Sequence, residues 1–121
     1  MRAIRVGTAQ FEARDGDKAY NLDVIAGLAV AAKAERAELV CFHECSISGY
    51  TYLETLDREG LEAVAELVPD GPSTQRRIEI AREIGISIGA GLIERDGDEL
   101  YNTFAVVSPD GLVAKHRKIH A

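Results

Sequence analysis

Residues 38–43, Glu38-Leu39-Val40-Cys41-Phe42-His43, carry four apolar side chains in a row, which leaves few folds open. The run is too short for a helix and lacks the alternation of a half-solvated strand. It reads as a strand buried on both faces, as in a parallel sheet flanked by helices. A parallel neighbour needs a crossover, and the preceding residues supply one. After the turn Asp15-Gly16-Asp17, residues Leu22, Ile25, Leu28, Ala29 and Ala32 recur at helical spacing up to about Ala37, while Asp23, Lys33 and Arg36 fall largely elsewhere. Ahead of that helix, residues 3–11 read as a first strand with Ile4, Val6, Thr8 and Gln10 on one face. Strand, helix and strand make a βαβ unit.

Residues 55–67 have the pattern of a weaker amphipathic helix, interrupted by Gly60 and stopped by Pro69-Asp70-Gly71-Pro72. Ser73 is placed to cap a third helix, with Ile78, Ile80, Ala81 and Ile84 as its apolar set and Gly85 at its C-terminal stop. Apolar runs then cover residues 86–93, 100–108 and 112 to about 116, separated by Asp96-Gly97 and Pro109-Asp110-Gly111. Asp-Gly turns between such runs are hairpin signals, so these strands are expected to be antiparallel neighbours. The expected fold class is α/β, a mixed β-sheet with helices on one face, in one unit over residues 1–121 without internal repeat or linker.

The net charge of −6, from 20 acidic against 14 basic residues, repels phosphate backbones and anionic lipid, so neither nucleic acid nor a membrane surface is an expected partner. No apolar stretch approaches the roughly 20 residues that cross a bilayer, and Met1-Arg2-Ala3-Ile4-Arg5 has no signal-peptide core. The expected compartment is the cytoplasm. Cys41 and Cys45 would lie too far apart on an extended strand to bridge, which fits reduced thiols.

Glu44 stands where the apolar run opens into the turn Cys45-Ser46-Ile47-Ser48-Gly49-Tyr50. An ionisable group at the end of a buried strand is placed for chemistry, although many such glutamates are solvated loop residues. Tyr50 can offer a hydroxyl to a ligand. Lys118 belongs to the basic stretch Lys115-His116-Arg117-Lys118, which on composition alone is a solvated tail. The strand-like residues before it would instead deliver it from the sheet, where a fixed ammonium beside a carboxylate can stabilise an oxyanion.

Other constellations are weaker. Cys41, His43 and Cys45 alternate, but a closed zinc site needs four ligands and no Cys-x-x-Cys pair supplies them, so no metal is expected. Gly89-Ala90-Gly91 lacks the third glycine of a dinucleotide loop and falls inside a strand, where glycines allow close packing or a bulge. Ser46 and Ser48 have no nucleophile elbow around them. Cys41 reads as a small buried apolar residue, and Cys45 as lying on the opposite side of the strand from Glu44.

Five landmarks in order resemble the nitrilase, or carbon–nitrogen hydrolase, superfamily. They are Gln10 ending the first strand, His43-Glu44 followed by Gly49-Tyr50, Gly71-Pro72 before a helix, Tyr101-Asn102-Thr103, and His116-Arg117-Lys118-Ile119-His120. His43 takes the place of the family's proline and His116 that of its tyrosine. The resemblance implies a four-layer αββα sandwich, of which this chain is similar to about the first half. It also implies cleavage of a non-peptide C–N bond in a small amide or nitrile, with no cofactor and water as second substrate. Glu44 would be the general base and Lys118 the stabiliser of the tetrahedral intermediate, with Tyr50 and Asn102 as substrate-binding supports.

The family's nucleophilic cysteine follows its lysine, and neither Cys41 nor Cys45 matches it. The expectation is therefore an N-terminal portion that stops before the nucleophile and is inactive alone, associating as a homo-oligomer or through an exposed sheet face. The rival expectation is a non-catalytic fragment or binding module on the same scaffold.

Overall fold

The computed structural model describes residues 3–49 and 56–118. Their elements are β1 (Val6–Thr8), α1 (Lys18–Ala34), β2 (Leu39–Cys41), α2 (Arg58–Val64), α3 (Pro72–Ile84), β3 (Ser87–Asp96), β4 (Glu99–Ser108) and β5 (Gly111–Lys118). One sheet runs in the order β1-β2-β3-β4-β5. Its first two joints are parallel, each bridged by a helical crossover, and its last two are the antiparallel hairpins that the Asp-Gly turns predict.

Strand alternation sorts the side chains into two faces. Val40, Ile88, Ala90, Leu92, Ala105 and Val107 meet Leu22, Ile25 and Ala29 of α1 and Ile78 and Ala81 of α3 in one core. Burying each larger aliphatic side chain there contributes about 1.5–3 kcal/mol. The short α2 packs elsewhere, with Leu61 and Val64 against Ile93 and Cys45. On the face away from α1 and α3, Val6 is exposed, and Leu39, Cys41, Phe104 and Val106 are only partly buried. The run at 38–43 is thus buried on one face, not two: Val40 is covered, while Leu39 and Cys41 are half-buried because helices cover only their other side.

The regular elements are shorter than their patterns near the N-terminus and longer at the C-terminus. β1 and β2 keep three residues each, and β5 extends through Lys118. α1 ends at Ala34, where Arg36 takes a left-handed φ of 66°. Gly60 does not interrupt α2: it lies in the first turn, where its N–H donates to the Asp57 side chain at 2.9 Å. Ser73 does not cap α3. The cap position is Gly71, Pro72 opens the helix, and Gly85 ends it at φ 79° as the pattern predicts.

The cap comes from upstream. Glu66 accepts from the Ser73 N–H at 2.7 Å and from its hydroxyl, and also from Lys18 Nζ of α1 at 2.6 Å, so one carboxylate satisfies the start of α3 and ties it to α1. A second buried carboxylate, Glu94 of β3, accepts from Arg117, Lys115 and Thr103.

Burial pushes the Glu66 pKa up, but the hydrogen bonds from Lys18 and Ser73 outweigh it and the net shift is downward. For Glu94 burial is again the upward influence, and Arg117, Lys115 and Thr103 bring the group from its ordinary 4.5 down to about 2. Carboxylates depressed by folding contribute stability that is complete above their unfolded pKa and disappears as pH falls through the folded one. The urea midpoint is therefore expected to be level near neutrality and to decline from about 4.5 toward 2. Glu66→Gln should lower the neutral-pH stability by about 1–3 kcal/mol and flatten part of that decline, both read from urea melts across pH.

Candidate active site

The chain leaves β2 into a turn over residues 44–48 that lies directly on β3. The Phe42 N–H donates to Gly89 O at 2.8 Å, Ile47 N–H to Gly91 O at 3.2 Å, and Gly91 N–H to the Ser46 hydroxyl at 3.4 Å. Such an approach needs the space that Gly91 leaves. A Cβ there would sit 2.5 Å from the Cys45 backbone nitrogen and 3.1 Å from Glu44 Cα. The turn itself requires Cys45 at φ 53°, a conformation few non-glycine residues adopt.

Buried Asn21 of α1 fastens the turn from the other side, donating to Ile47 O at 2.8 Å and to Arg14 O at 2.9 Å while accepting from the Arg14 N–H at 2.8 Å. His43 adds a ring contact to Phe11 O at 3.0 Å through Nε2.

On this platform Glu44 turns outward, and its Oε1 lies 3.5 Å from Lys118 Nζ. Two residues 74 positions apart in sequence, from the end of β2 and the end of β5, are thereby brought together. Their side chains are 48% and 55% exposed, so water screens the attraction and the pair contributes little to stability. What it provides is a carboxylate free to take a proton beside an ammonium able to face a developing negative charge.

Asn102 is brought to the same place. The registers of β3, β4 and β5 align Ile93, Asn102 and Lys118 in one row on the face that Glu44 overlooks. The Asn102 Oδ1 accepts from the Cys45 thiol at 3.5 Å. Cys45 lies in a turn, not on an extended strand, and points inward where Glu44 points outward. Burial, then the neighbouring Glu44, push its thiol up to about 11 against the opposing pull of Lys118. A thiol held up there is protonated at neutral pH. Cys41 is half-buried, and burial raises its pKa as well. Tyr50 lies outside the described residues.

Asn21 and Glu94 shape the site's surroundings without belonging to any motif read from the sequence, and Thr103, read only as part of the Tyr101-Asn102-Thr103 landmark, donates to Glu94. The available signals were faint: a lone amide on the buried stripe of α1, and polar positions inside otherwise apolar strands. A cleft of about 810 Å³ between α1, α2 and α3, lined by Lys18, Leu22, Glu66, Asp70 and Arg76, includes neither Glu44 nor Lys118.

Comparison with known proteins bears on the family and the fold. A carbon–nitrogen hydrolase family profile matches residues 5–121. A nitrilase of Pyrococcus abyssi is 42% identical over 89 residues, covering 74% of this chain and 33% of the relative. The omega-amidase NIT2 of Bos taurus is 40% identical over 122 residues, covering 99% of this chain and 41% of the relative. The chain therefore spans about a third to two fifths of the length of these curated relatives. Among solved structures, an N-terminal amidase superposes with a TM-score of 0.77 at 20% identity, over 98% of this chain and 28% of that one. An amidase from Nesterenkonia sp. does so at 0.71 and 24%, over 97% and 43%. At these identities the structural likeness speaks for the fold.

Gly91→Ala is expected to lower stability by about 1–3 kcal/mol, because the turn carrying Glu44 must lift off β3. Gly27→Ala, at a helical position with nothing near the added methyl, should instead gain about 0.5–1 kcal/mol. Urea melts of both variants check the contrast.

Proposed function

This chain belongs to the carbon–nitrogen hydrolase family, and we propose that its 121 residues are the N-terminal part of an amidase- or nitrilase-type domain that cleaves the non-peptide C–N bond of a small amide or nitrile. The observation that carries the reading is the 3.5 Å approach of Glu44 to Lys118 across the sheet. In this scheme a cysteine thiol outside these residues gives its proton to Glu44, and the thiolate attacks the substrate carbon. The oxyanion that forms on an amide is stabilised by Lys118. Glu44 returns the proton to the departing nitrogen, leaving a thioester. Water, deprotonated by Glu44, then releases the acid and restores the thiol. In the same scheme Asn102 supports the substrate, and Tyr50 keeps the substrate-binding role that the family resemblance implies.

Glu44→Gln and Lys118→Ala in an active protein that contains this segment are each expected to lower amide turnover by at least about a hundredfold. Near-normal turnover in either variant removes that residue from the mechanism. Cys45, with its thiol buried and its pKa raised, should not serve as the nucleophile. Mass spectrometry of the 121-residue chain incubated with amide or nitrile should find no acyl group on it.

A second element of the proposal concerns the open sheet face. Val6 is 49% exposed there, beside the partly covered Leu39, Cys41, Phe104 and Val106, so the surface is apolar and uncovered among the described residues. Apolar patches of this kind serve association. We propose that in the whole protein another layer, or a second copy, covers it. The 121-residue chain should then self-associate or bind a hydrophobic dye, and a dye-silent monomer by light scattering would count against this.

A further inference from the structure

Lys118 leaves β5 on the side of the sheet that Glu44 overlooks, and its neighbours on the strand leave on the other. Side chains of β5 alternate, so Lys115 and Arg117 project toward the helix side, and His116 and Lys118 toward the candidate site. The registers place Arg117 opposite Thr103 and Lys118 opposite Asn102. Among the described residues β5 is an edge strand, paired along one side only, and Lys118 is the last of them. Nothing in the half-exposed Glu44–Lys118 pair is strong enough to hold a long, flexible lysine in one orientation.

On the helix side the same stretch is held hard. Glu94 of β3, 1% exposed, accepts from Arg117 Nε at 2.8 Å and Nη2 at 3.0 Å, from Lys115 Nζ at 2.5 Å and from the Thr103 hydroxyl at 2.8 Å. Arg117 Nη2 also reaches Asp96 at 2.9 Å, and its guanidinium stacks over the Tyr101 ring at 4.2 Å. A two-point guanidinium–carboxylate contact fixes angle as well as distance, and one whose carboxylate is buried is screened less than the open Glu44–Lys118 pair. Two cations separated by one residue on a strand therefore pin the backbone between and beyond them.

Building on the reading of Lys118 as oxyanion stabiliser, we propose that Glu94 is a positioning residue that acts through Lys115 and Arg117. By clamping those two side chains on the helix face it orients the end of β5, and with it the Lys118 ammonium, toward Glu44. It touches neither substrate nor the reacting atoms.

The test uses the 121-residue chain with isotope-labelled lysine, glutamate and isoleucine. Cross-relaxation between the Lys118 ε-methylene and the Glu44 γ-methylene reports the pair, and the methyl shifts of Ile25, Ile78 and Ile88 report the core. Glu94→Gln keeps the side-chain shape but removes the charge. It should weaken the Lys118–Glu44 cross-peak several-fold while the core methyl shifts stay put. Arg117→Met leaves Glu94 paired with Lys115 and Thr103, so it serves if Glu94→Gln does not fold, and it should act in the same direction. Glu66→Gln, in the other buried network, should leave the cross-peak intact.

A wild-type cross-peak in a folded Glu94 or Arg117 variant overturns the proposal, as does an equal loss in Glu66→Gln. In an active protein containing this segment, Glu94→Gln should lower kcat by about ten- to a hundredfold with little change in KM, the scale of a small misplacement. An unchanged kcat, or a loss confined to KM, overturns it too. Full turnover in Lys118→Ala would sink the catalytic reading instead, and the cross-peak result would stand apart from it.

Discussion

Backbone contact between the turn at residues 44–48 and β3 at Gly91 is the constraint on which the candidate site rests. β2 has only three paired residues, too few to aim anything beyond its end. The hydrogen bonds from Phe42 to Gly89 and from Ile47 to Gly91 continue its alignment past the last paired residue. They do so at a separation that any side chain at position 91 would forbid. Asn21 closes the arrangement from α1, satisfying buried carbonyls that would otherwise be costly.

The sheet joins two halves with different jobs. Its parallel half, with α1 and α3 packed on one face, makes the core and delivers Glu44. Its antiparallel half, two hairpins without a helix between them, delivers Asn102 and Lys118 in one cross-strand row. Strand alternation then separates chemistry from anchorage. The face bearing Lys118 is open, while the face bearing Lys115 and Arg117 is tied to Glu94. The charges on the helix face are spent on one another, whereas the Glu44–Lys118 pair faces solvent.

Among the described residues one face of the sheet stays largely apolar and uncovered, which fits a chain that spans 28% and 43% of the amidase structures it superposes on. Glu44 and Lys118 stand at the edge of that open face. On the proposed reading, a covering layer would both bury the apolar patch and wall the substrate in, removing the water that now screens the pair.

Much of this was legible in the residues themselves. Apolar periodicity located α1 and the last three strands, and the Asp-Gly turns set the hairpins, because these depend on contacts between neighbours in sequence. Glu44 and Lys118 were legible as candidates because each follows an apolar strand. Their 3.5 Å approach was not, since it depends on the register of β3, β4 and β5 together. Nor was the cap of α3: Ser73 looked like the cap, but a carboxylate seven residues upstream bonds to its N–H instead. The run at 38–43 is buried on one face where its pattern allows two, because a continuous apolar pattern says what a strand can bury and not how many layers lie against it. Local pattern thus determined the elements and the residue types able to do chemistry. Tertiary structure decided which of them meet, which face is open, and that Glu94 and Asn21 matter, because those are long-range contacts between polar groups that leave no periodic trace in sequence.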